Sequence, residues 1–375
     1  MRNLMFGVCI APYRIDLYNY LYTHFNCEIY FQYEDMILQN FNMESLYNQC
    51  CYKPHFLKCR TLGRRNIVHG LRKIIKKYCP EYIFVPEFSI LTIQVLLIKY
   101  LYNYKYKVIS ICDDSYDMLM GNDFSIQHRW ARRIITPLLD NLFLVDNRVH
   151  VWYQKHYKKG VWMPIISDDI KARRIYEALL PLSVKINRDY GLEGYKVILF
   201  VGRLVALKNV SSLIKAYSPL KQMAKLVIIG DGECRGDLEK LDRKLETKAI
   251  FVGRKEGDEL LAWYNIADIF VLPSVQEAFG AVTNEALLAG CYTLVSEKAG
   301  SSSIIHSGFN GEIFNPHSTI ELTQLLKIQI NKLDSKDNIK LKDNLMPYSF
   351  VNMLDRALQG LSLIHISEPT RRSYI

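Results

Sequence analysis

The feature that most constrains the fold of this chain is an alternation of two kinds of segment in its second half. Short, continuously apolar runs are separated by longer amphipathic stretches. Continuous apolar runs are typical of strands that are buried on both faces, and the amphipathic stretches between them are typical of covering helices. The runs occupy 196–202, 225–230, 249–253, 268–274, 292–298 and 311–316.

This alternation predicts an α/β fold in which helices cover both sides of a parallel sheet, the doubly wound arrangement. The first half repeats the pattern less regularly. Its predicted strands are 3–10, 28–33, 82–87, 107–114 and 141–146, and its predicted helices are 14–24, 65–78, 89–104 and 127–139. Helices of the second half are predicted at 210–223, 235–247, 257–267, 278–290, 299–307 and 318–332.

A chain of 375 residues is long for one hydrophobic core and comfortable for two. We therefore predict a first Rossmann-like domain over 1–170, a second over 171–340 and a terminal helical segment over 341–360. Residues 361–375 are expected to be a non-native tail, because LSLIHISEPTR looks like the translation of a sequencing-library transposon adapter. The authentic chain is then expected to continue beyond Gly360.

Composition favours a globular, cytoplasmic protein. The chain is 49% hydrophobic and 23% charged, and it has no apolar run of the roughly 18 residues that a membrane span needs. The nine cysteines show neither a CxxC pair nor a metal-ligand spacing, and the apolar run at the N-terminus is too short for a signal peptide. These observations favour reduced thiols over a disulfide framework.

The basic residues are unevenly distributed. The formal net charge is +10, and nine basic residues but no acidic one lie in 53–77. This segment is either a solvated basic face or a surface that meets anionic lipid at the inner face of the cytoplasmic membrane. Likewise, 89–107 is either a buried helix with an exposed Tyr/Lys-rich end or a membrane-facing element. No nucleic-acid-binding motif is recognisable, so nucleic acid is not an expected partner.

The first segment with recognisable chemistry is VGRLVALKNV, residues 201–210. A predicted strand ends at Gly202, and Arg203 and Lys208 follow in the loop that enters the next helix. A guanidinium fork, a compact ammonium and backbone N–H groups together suit a diphosphate. The same segment is also compatible with an ordinary strand-to-helix turn that carries two solvated cations.

The second segment is SVQEAFGAVTNEALLAG, residues 274–290. Glu277 follows a predicted strand, Gly280 lies near the predicted helix start, and Glu285 lies within that helix. A carboxylate accepts hydrogen bonds from two hydroxyls, so each glutamate is able to hold a vicinal diol. Alternatively, both are helix charges without a ligand. The loop IIGDGE, 228–233, is not a GxGxxG fingerprint, which argues against a dinucleotide enzyme.

Taken together, these motifs resemble the retaining glycosyltransferases of family 4. That family has the GT-B fold, in which two Rossmann-like doubly wound domains face a central cleft. The resemblance covers about 190–320 strongly and the N-terminal half loosely, and it implies that the terminal helix returns to the first domain. Further matching motifs are FVGR at 251–254, YNIADIFVLPS at 264–274 and SGFNGEIFNP at 307–316.

The resemblance implies a transferase that moves a hexose from a nucleotide sugar to a glycan or lipid-linked acceptor, as in bacterial surface polysaccharide biosynthesis. Arg203 and Lys208 would hold the donor diphosphate, and Glu277 would contact the transferred sugar. Glu285 would bind the ribose hydroxyls, and Arg254 would lie near the base. The backbone near the phosphates would come from Gly202, Ala278, Phe279 and Gly280. No cofactor and no metal is implied.

The first half departs from the family pattern. Many relatives have a glycine-rich loop after the first strand, whereas 9–20 lacks one. Arg14 is a candidate phosphate or acceptor contact in its place. Asp113 or Asp114 stands where relatives often carry a histidine, and His128 is a further candidate. Two other classes stay open: a nucleotide-sugar 2-epimerase of the same fold, and a sugar-nucleotide-binding protein without turnover.

Overall fold

A computed structural model of the chain describes residues 2–34, 43–62, 65–121, 126–333 and 339–363. The chain divides into two compact units. The first unit contains the described residues of 1–114, 118–165 and 351–375, and the second contains 115–117 and the described residues of 166–350. No helix in the described residues combines the length and the apolar character needed to cross a membrane.

The first unit is built on a sheet of seven parallel strands. Its strand order is β3-β2-β1-β6-β7-β8-β9, so the chain reverses direction across the sheet between β1 and β6. The strands are β1 (Asn3–Gly7), β2 (Cys27–Phe31), β3 (His55–Phe56), β6 (Tyr82–Pro86), β7 (Lys107–Cys112), β8 (Asn141–Leu144) and β9 (Val161–Trp162). A separate antiparallel hairpin is formed by β4 (Cys59–Leu62) and β5 (Arg65–Val68).

The helices of this part of the chain are α1 (Ile15–His24), α2 (Met43–Gln49), α3 (Leu71–Tyr78), α4 (Ile90–Leu101), α5 (Tyr116–Met120), α6 (Ile126–Leu138) and α7 (Asn147–Tyr157). The last helix of the described chain, α15 (Phe350–Leu363), packs in the first unit from Val351 onward. Residues 364–375 of the predicted non-native tail lie outside the described residues.

The predicted helix over 65–78 is wrong in its first part. Residues 65–68 form β5, and the helix begins only after Gly70, whose φ of +75° breaks the chain direction. The β-branched Ile67 and Val68 favour an extended backbone. In addition, the Gln94 amide bonds both the N–H and the carbonyl of Val68 at 3.0 Å. The basic segment 53–77 is therefore not one helix, and its residues 63–64 lie outside the described part.

The second unit is built on six parallel strands in the order β12-β11-β10-β13-β14-β15. The strands are β10 (Val197–Val201), β11 (Lys225–Ile229), β12 (Ile250–Gly253), β13 (Ile269–Leu272), β14 (Tyr292–Ser296) and β15 (Gly311–Phe314). The helices are α8 (Asp169–Ala178), α9 (Leu180–Asp189), α10 (Val210–Tyr217), α11 (Arg235–Leu245), α12 (Gly257–Ile266), α13 (Val282–Leu288) and α14 (Thr319–Lys332). Short 3-10 helices lie at Ala206–Lys208, Ser218–Leu220 and Gly300–Ile304.

The core of the second unit lies against the central strands. All five residues of β10 are buried, as are all four of β13. One buried cluster joins these strands to α10 and α14 through residues such as Phe200, Leu213 and Leu326. Strands of this kind are apolar on both faces because helices cover both sides of the sheet.

The loops that leave β10 and β11 approach each other very closely. The backbone N–H of Gly202 donates to the backbone carbonyl of Ile229 at 3.0 Å, and the backbone N–H of Leu204 donates to the backbone carbonyl of Asp231 at 2.9 Å. A Cβ added to Gly230, whose φ is +142°, would lie 1.9 Å from the carbonyl oxygen of Gly202. Only glycine fits at position 230. The IIGDGE motif therefore forms a turn and also allows the two loops to pack closely.

We expect Gly230→Ala to lower the melting temperature strongly, because its methyl group overlaps backbone that has no freedom to move aside. The loss should reach the upper range of single substitutions, ~3 kcal/mol or more. Gly236→Ala is the matched control, since Gly236 lies in α11 with open space around its Cβ position. That substitution should stabilise the protein by ~0.5–1 kcal/mol. Equal melting curves for the two variants in scanning fluorimetry would contradict the packing argument.

Candidate functional site

The candidate site of the second unit lies at the carboxyl ends of β10 and β13. These two strands are hydrogen-bonded neighbours, with Ile198 opposite Ile269. In the strand order of this sheet, the connection from β10 leads to one edge and the connection from β13 leads to the other. The loops after the two strands therefore diverge and leave a crevice, which is where open α/β sheets bind ligands.

Lys208 and Glu277 meet in this crevice. Lys208 ends the 3-10 helix after β10, and its Nζ forms an ion pair with Oε2 of Glu277 in the loop after β13. Ser274 Oγ donates to the same Oε2 at 3.4 Å. The N–H of Val275 donates to the carbonyl of Leu207 at 2.9 Å, which ties the two loops together. The two charged side chains are only 18% and 16% exposed, so solvent screens their attraction weakly.

The turn from Glu277 to the start of α13 is fixed by its glycine and by the segment after β14. Gly280 has φ +91°, and a Cβ there would lie 2.5 Å from Leu272 Cδ2. The N–H of Ser301 donates to the carbonyl of Phe279 at 2.8 Å. Within the described residues, no backbone hydrogen bond uses the N–H groups of Ala278, Phe279 or Gly280. These donors are therefore left for solvent or for a ligand.

Glu285 accepts hydrogen bonds from two buried tyrosines. The Tyr264 hydroxyl donates to Oε2 of Glu285 at 2.8 Å, and the Tyr176 hydroxyl donates to its backbone carbonyl at 2.9 Å. Burial raises the pKa of Glu285 above the ordinary range of a glutamate, while the hydrogen bond from Tyr264 acts in the opposite direction. Sequence reasoning did not assign these tyrosines, although Tyr264 begins the YNIADIFVLPS motif.

Arg203 and Arg254 are exposed on the loops after β10 and β12. The Arg254 Nε donates to Oε1 of Glu256 at 2.8 Å. Among the described residues, no hydrogen bond or ion pair joins either arginine to Lys208 or Glu277. The structure thus brings Lys208 and Glu277 into contact and leaves the two arginine side chains at the surface of the unit.

The first unit contains a separate cavity of about 430 Å³ at the carboxyl ends of β1, β6 and β7. Arg14, Tyr13, Glu87, Asp113 and His128 contribute polar groups to its wall. Arg14 is only 5% exposed and forms an ion pair with Asp113. Burial by itself would lower the pKa of Arg14, but Asp113 and the neighbouring Tyr18 and Tyr13 raise it overall. Arg14 therefore stays a cation in this wall.

Asp113 and Asp114 have different surroundings. Asp113 lines the cavity, whereas Asp114 is 3% exposed and faces inward. One Asp114 oxygen lies 3.6 Å from His128 Nε2, and the other lies 3.9 Å from Arg132 Nη1. Of the two aspartates that the sequence offered, Asp113 is thus the one placed to meet a ligand.

Glu87 is a polar residue of this cavity that sequence reasoning did not single out. Burial, reinforced by the charges of Asp114 and Asp113, raises the pKa of Glu87 to about 8, although its hydrogen bond from Cys112 acts against this shift. Ligand-type atoms of Glu87, Cys112 and Asp114 lie within 4.8 Å of one another. The Arg132 guanidinium beside Asp114 opposes a bound cation.

Comparison with known families finds a match in the second half of the chain. Residues 185–342 match the family model of glycosyl transferases group 1. This segment is therefore similar to glycosyltransferase domains. An uncharacterized glycosyltransferase of Methanocaldococcus jannaschii is 37% identical over 172 residues, which are 42% of this chain and 44% of that protein. The lipopolysaccharide 1,2-N-acetylglucosaminetransferase of Salmonella typhimurium is 32% identical over 132 residues, 32% of this chain and 35% of that protein.

A third relative matches a longer stretch. An α-1,4-N-acetyl-D-galactosaminyltransferase of Campylobacter jejuni, whose name specifies an undecaprenol-diphosphate-linked glycan, is 28% identical over 210 residues, 54% of both chains. The chain thus spans about half or less of the length of these curated relatives.

Solved structures match nearly the whole chain. HepE of Anabaena in complex with UDP aligns with a TM-score of 0.75 at 15% identity and covers 96% of this chain and 100% of its own. A glycosyltransferase of Rickettsia africae aligns with a TM-score of 0.74 at 16% identity and covers 98% and 99%. The fold is GT-B, as the sequence resemblance predicted.

We expect Glu285→Gln to raise the melting temperature of the ligand-free protein at alkaline pH. The carboxyl has a higher pKa in the folded state than in the unfolded chain, so its ionisation opposes folding, and this penalty grows as pH rises. The difference in melting temperature between Glu285→Gln and wild type should shrink as pH falls, because the carboxyl of the folded wild-type protein then takes up a proton. Exposed Glu193→Gln is the control and should follow wild type at every pH. A constant offset for Glu285→Gln across the pH series would refute the burial argument.

Proposed function

We propose that this chain is a retaining glycosyltransferase that moves a hexose from a nucleotide sugar to a glycan or lipid-linked acceptor. The observation that carries the proposal is the ion pair of Lys208 with Glu277 in the crevice between β10 and β13. It brings a cation and a hydroxyl-binding carboxylate together where a doubly wound sheet binds its ligand. The group 1 glycosyl transferase match over 185–342 supports the same conclusion.

In this proposal, Arg203 and Lys208 hold the diphosphate and stabilise the charge that develops on the departing phosphate. A diphosphate that enters the crevice takes over Lys208 as a partner and leaves the Glu277 carboxylate to accept hydroxyls of the transferred sugar. The N–H groups of Ala278, Phe279 and Gly280 add donors for the phosphate oxygens. Because two cations supply the positive charge, we propose that transfer proceeds without a metal or cofactor.

Glu285 holds the ribose diol in this proposal, and Arg254 contacts the base. The Tyr264 phenol occupies one lone pair of Glu285 Oε2 and fixes the direction of the carboxylate. The remaining lone pairs of the two carboxylate oxygens are then available to a vicinal diol. Support for a nucleotide diphosphate donor comes from the Anabaena neighbour, whose structure contains UDP.

The cavity of the first unit is the proposed acceptor site. Its wall offers the Arg14–Asp113 pair, which suits hydroxyl groups better than a free phosphate because the guanidinium is already neutralised. A lipid-linked glycan as acceptor is supported by the Campylobacter relative. We place the reaction in the cytoplasm, at the inner face of the membrane, within bacterial surface polysaccharide biosynthesis. None of the nine cysteines forms a disulfide, which agrees with that compartment.

The donor assignment is tested by thermal shift with UDP-, GDP- and ADP-sugars, followed by transfer assays. We expect one nucleotide class to stabilise the wild-type protein. Lys208→Ala should lower kcat for donor turnover ~100-fold or more, because it removes a cation that stabilises the leaving phosphate. Lys215→Ala, an exposed lysine of α10, is the matched control and should be unaffected.

The outcomes separate the reaction classes. Transfer that persists in EDTA and a product with the donor's anomeric configuration by NMR would support a metal-free, retaining transferase. Conversion of the sugar without any acceptor would instead indicate a 2-epimerase. Nucleotide binding without turnover would indicate a binding protein, and stabilisation by none of the three classes would overturn the proposal.

The acceptor assignment is tested with Asp113→Asn, which removes a charge from the wall of the first-unit cavity. We expect the KM for the acceptor to rise ~10-fold or more, as for the loss of a charged hydrogen-bonding group. Hydrolysis of the donor in the absence of acceptor should stay unchanged. Glu44→Gln on α2 is an exposed control in the same unit. An equal loss of donor hydrolysis and of transfer in Asp113→Asn would contradict an acceptor role.

A further inference from the structure

An apolar groove opens between α4 and α6 on the surface of the first unit. It has a volume of about 280 Å³, and every side chain that lines it is aliphatic or aromatic. The two helices contribute equally to its walls, through Ile93, Leu97 and Tyr100 on α4 and Ala131, Ile134 and Leu138 on α6.

The side chains along the rims of this groove are exposed rather than packed in the core. Leu97 is 52% exposed, Ile134 is 59% exposed and Tyr100 is 58% exposed. Trp130 lies one helical turn before Ile134 and is also 58% exposed. Leu101 and Tyr102 extend the apolar surface past the end of α4. Contiguous exposed apolar surface of this kind marks an interaction site in a water-exposed protein.

The charged side chains of the three helices at this face are all basic. The helices α3, α4 and α6 contain eight Lys and Arg residues and no Asp or Glu. Two of the eight are engaged with aspartates, since Lys99 donates to Asp140 at 2.7 Å and Arg132 lies near Asp114. The six that are exposed are Arg72, Lys73, Lys76, Lys77, Arg129 and Arg133.

Contacts connect the basic helix α3 to the apolar surface. The Arg72 guanidinium carbon lies 3.7 Å from the centroid of the Tyr102 ring, which follows the end of α4. Lys73, Lys76 and Lys77 repeat on the same exposed side of α3 as Arg72. On the other side of the groove, Arg129 and Arg133 are spaced one turn apart on α6, as are Trp130 and Ile134. An apolar strip is therefore bordered by cations on both sides.

We propose that the face formed by α3, α4 and α6 docks onto an anionic lipid bilayer. The apolar and aromatic side chains of the groove enter the boundary between head groups and acyl chains, and the flanking lysines and arginines meet lipid phosphates. A second copy of this chain is a poorer occupant, because a symmetric pairing through this face would bring two sets of cations together. The charge of an anionic bilayer is complementary to both borders.

The test is co-sedimentation of the full chain with vesicles of phosphatidylglycerol and phosphatidylcholine in equal parts, compared with vesicles of phosphatidylcholine alone. Wild-type protein should partition onto the mixed vesicles much more strongly, and high salt should weaken this binding. Lys73→Gln and Lys76→Gln should each weaken it ~fivefold. Lys327→Gln, an exposed lysine of α14 in the second unit, is the charge control and should bind like wild type.

The apolar part of the proposal is tested with Ile134→Glu. This variant should lose vesicle binding by more than ~10-fold, because a charge cannot enter the acyl boundary without a large cost. Ile320→Glu on α14 makes the same exchange at a residue that is 74% exposed, and it should bind like wild type. Trp130 fluorescence should be quenched by brominated acyl chains in wild type and not in Ile134→Glu. Melting curves and oligomeric state of the variants are measured alongside.

Three results would overturn the proposal. The first is wild-type protein that does not discriminate between mixed and neutral vesicles. The second is Ile134→Glu that binds vesicles like Ile320→Glu. The third is a wild-type dimer that Ile134→Glu converts to a monomer without any change in vesicle binding, which would assign the groove to a second copy. All three readouts are independent of the sugar donor, so they stand apart from the proposed transferase activity.

Discussion

The second unit depends on the pairing of β10 with β13, because this is where the order of strands in the sheet reverses. The pairing sets the loops after the two strands side by side and sends their helices in opposite directions. Lys208 and Glu277 are 69 positions apart in the chain, and this topology makes them an ion pair. Two further contacts lie beside the same crevice. Gly202 closely approaches Gly230, and Tyr264 donates a hydrogen bond to Glu285.

The crevice combines interactions that stabilise the unit with interactions that oppose folding. The Lys208–Glu277 pair compensates two partly desolvated charges. Glu285 has no cationic partner among the described hydrogen bonds and ion pairs, and its pKa is raised by burial. A carboxyl kept in such surroundings is typical of a residue retained for binding rather than for stability. The cavity of the first unit repeats this arrangement with Glu87 and the Arg14–Asp113 pair.

The sequence predicted those elements whose pattern is local. β10 was predictable because all five of its residues are apolar and buried, and Lys208 and Glu277 were predictable through the rule that loops meet at a topological switch. β9 was not predicted because two residues are too few to show a period. β5 was included in the predicted helix over 65–78, of which only the part from Leu71 onward is helical. Tyr176 supports Glu285 from 109 positions away, a contact that no local pattern encodes.

The position of α15 affects the order in which the two units can finish folding during translation. Its buried residues Met353, Leu354 and Ala357 pack in the first unit, and Asp355 accepts a hydrogen bond from Tyr20 of α1. The first unit is thus discontinuous in the chain and interrupted by the whole second unit. During translation, the site on the first unit that α15 covers is vacant until the ribosome has passed the second unit. The unit that is started first is therefore the last to be completed.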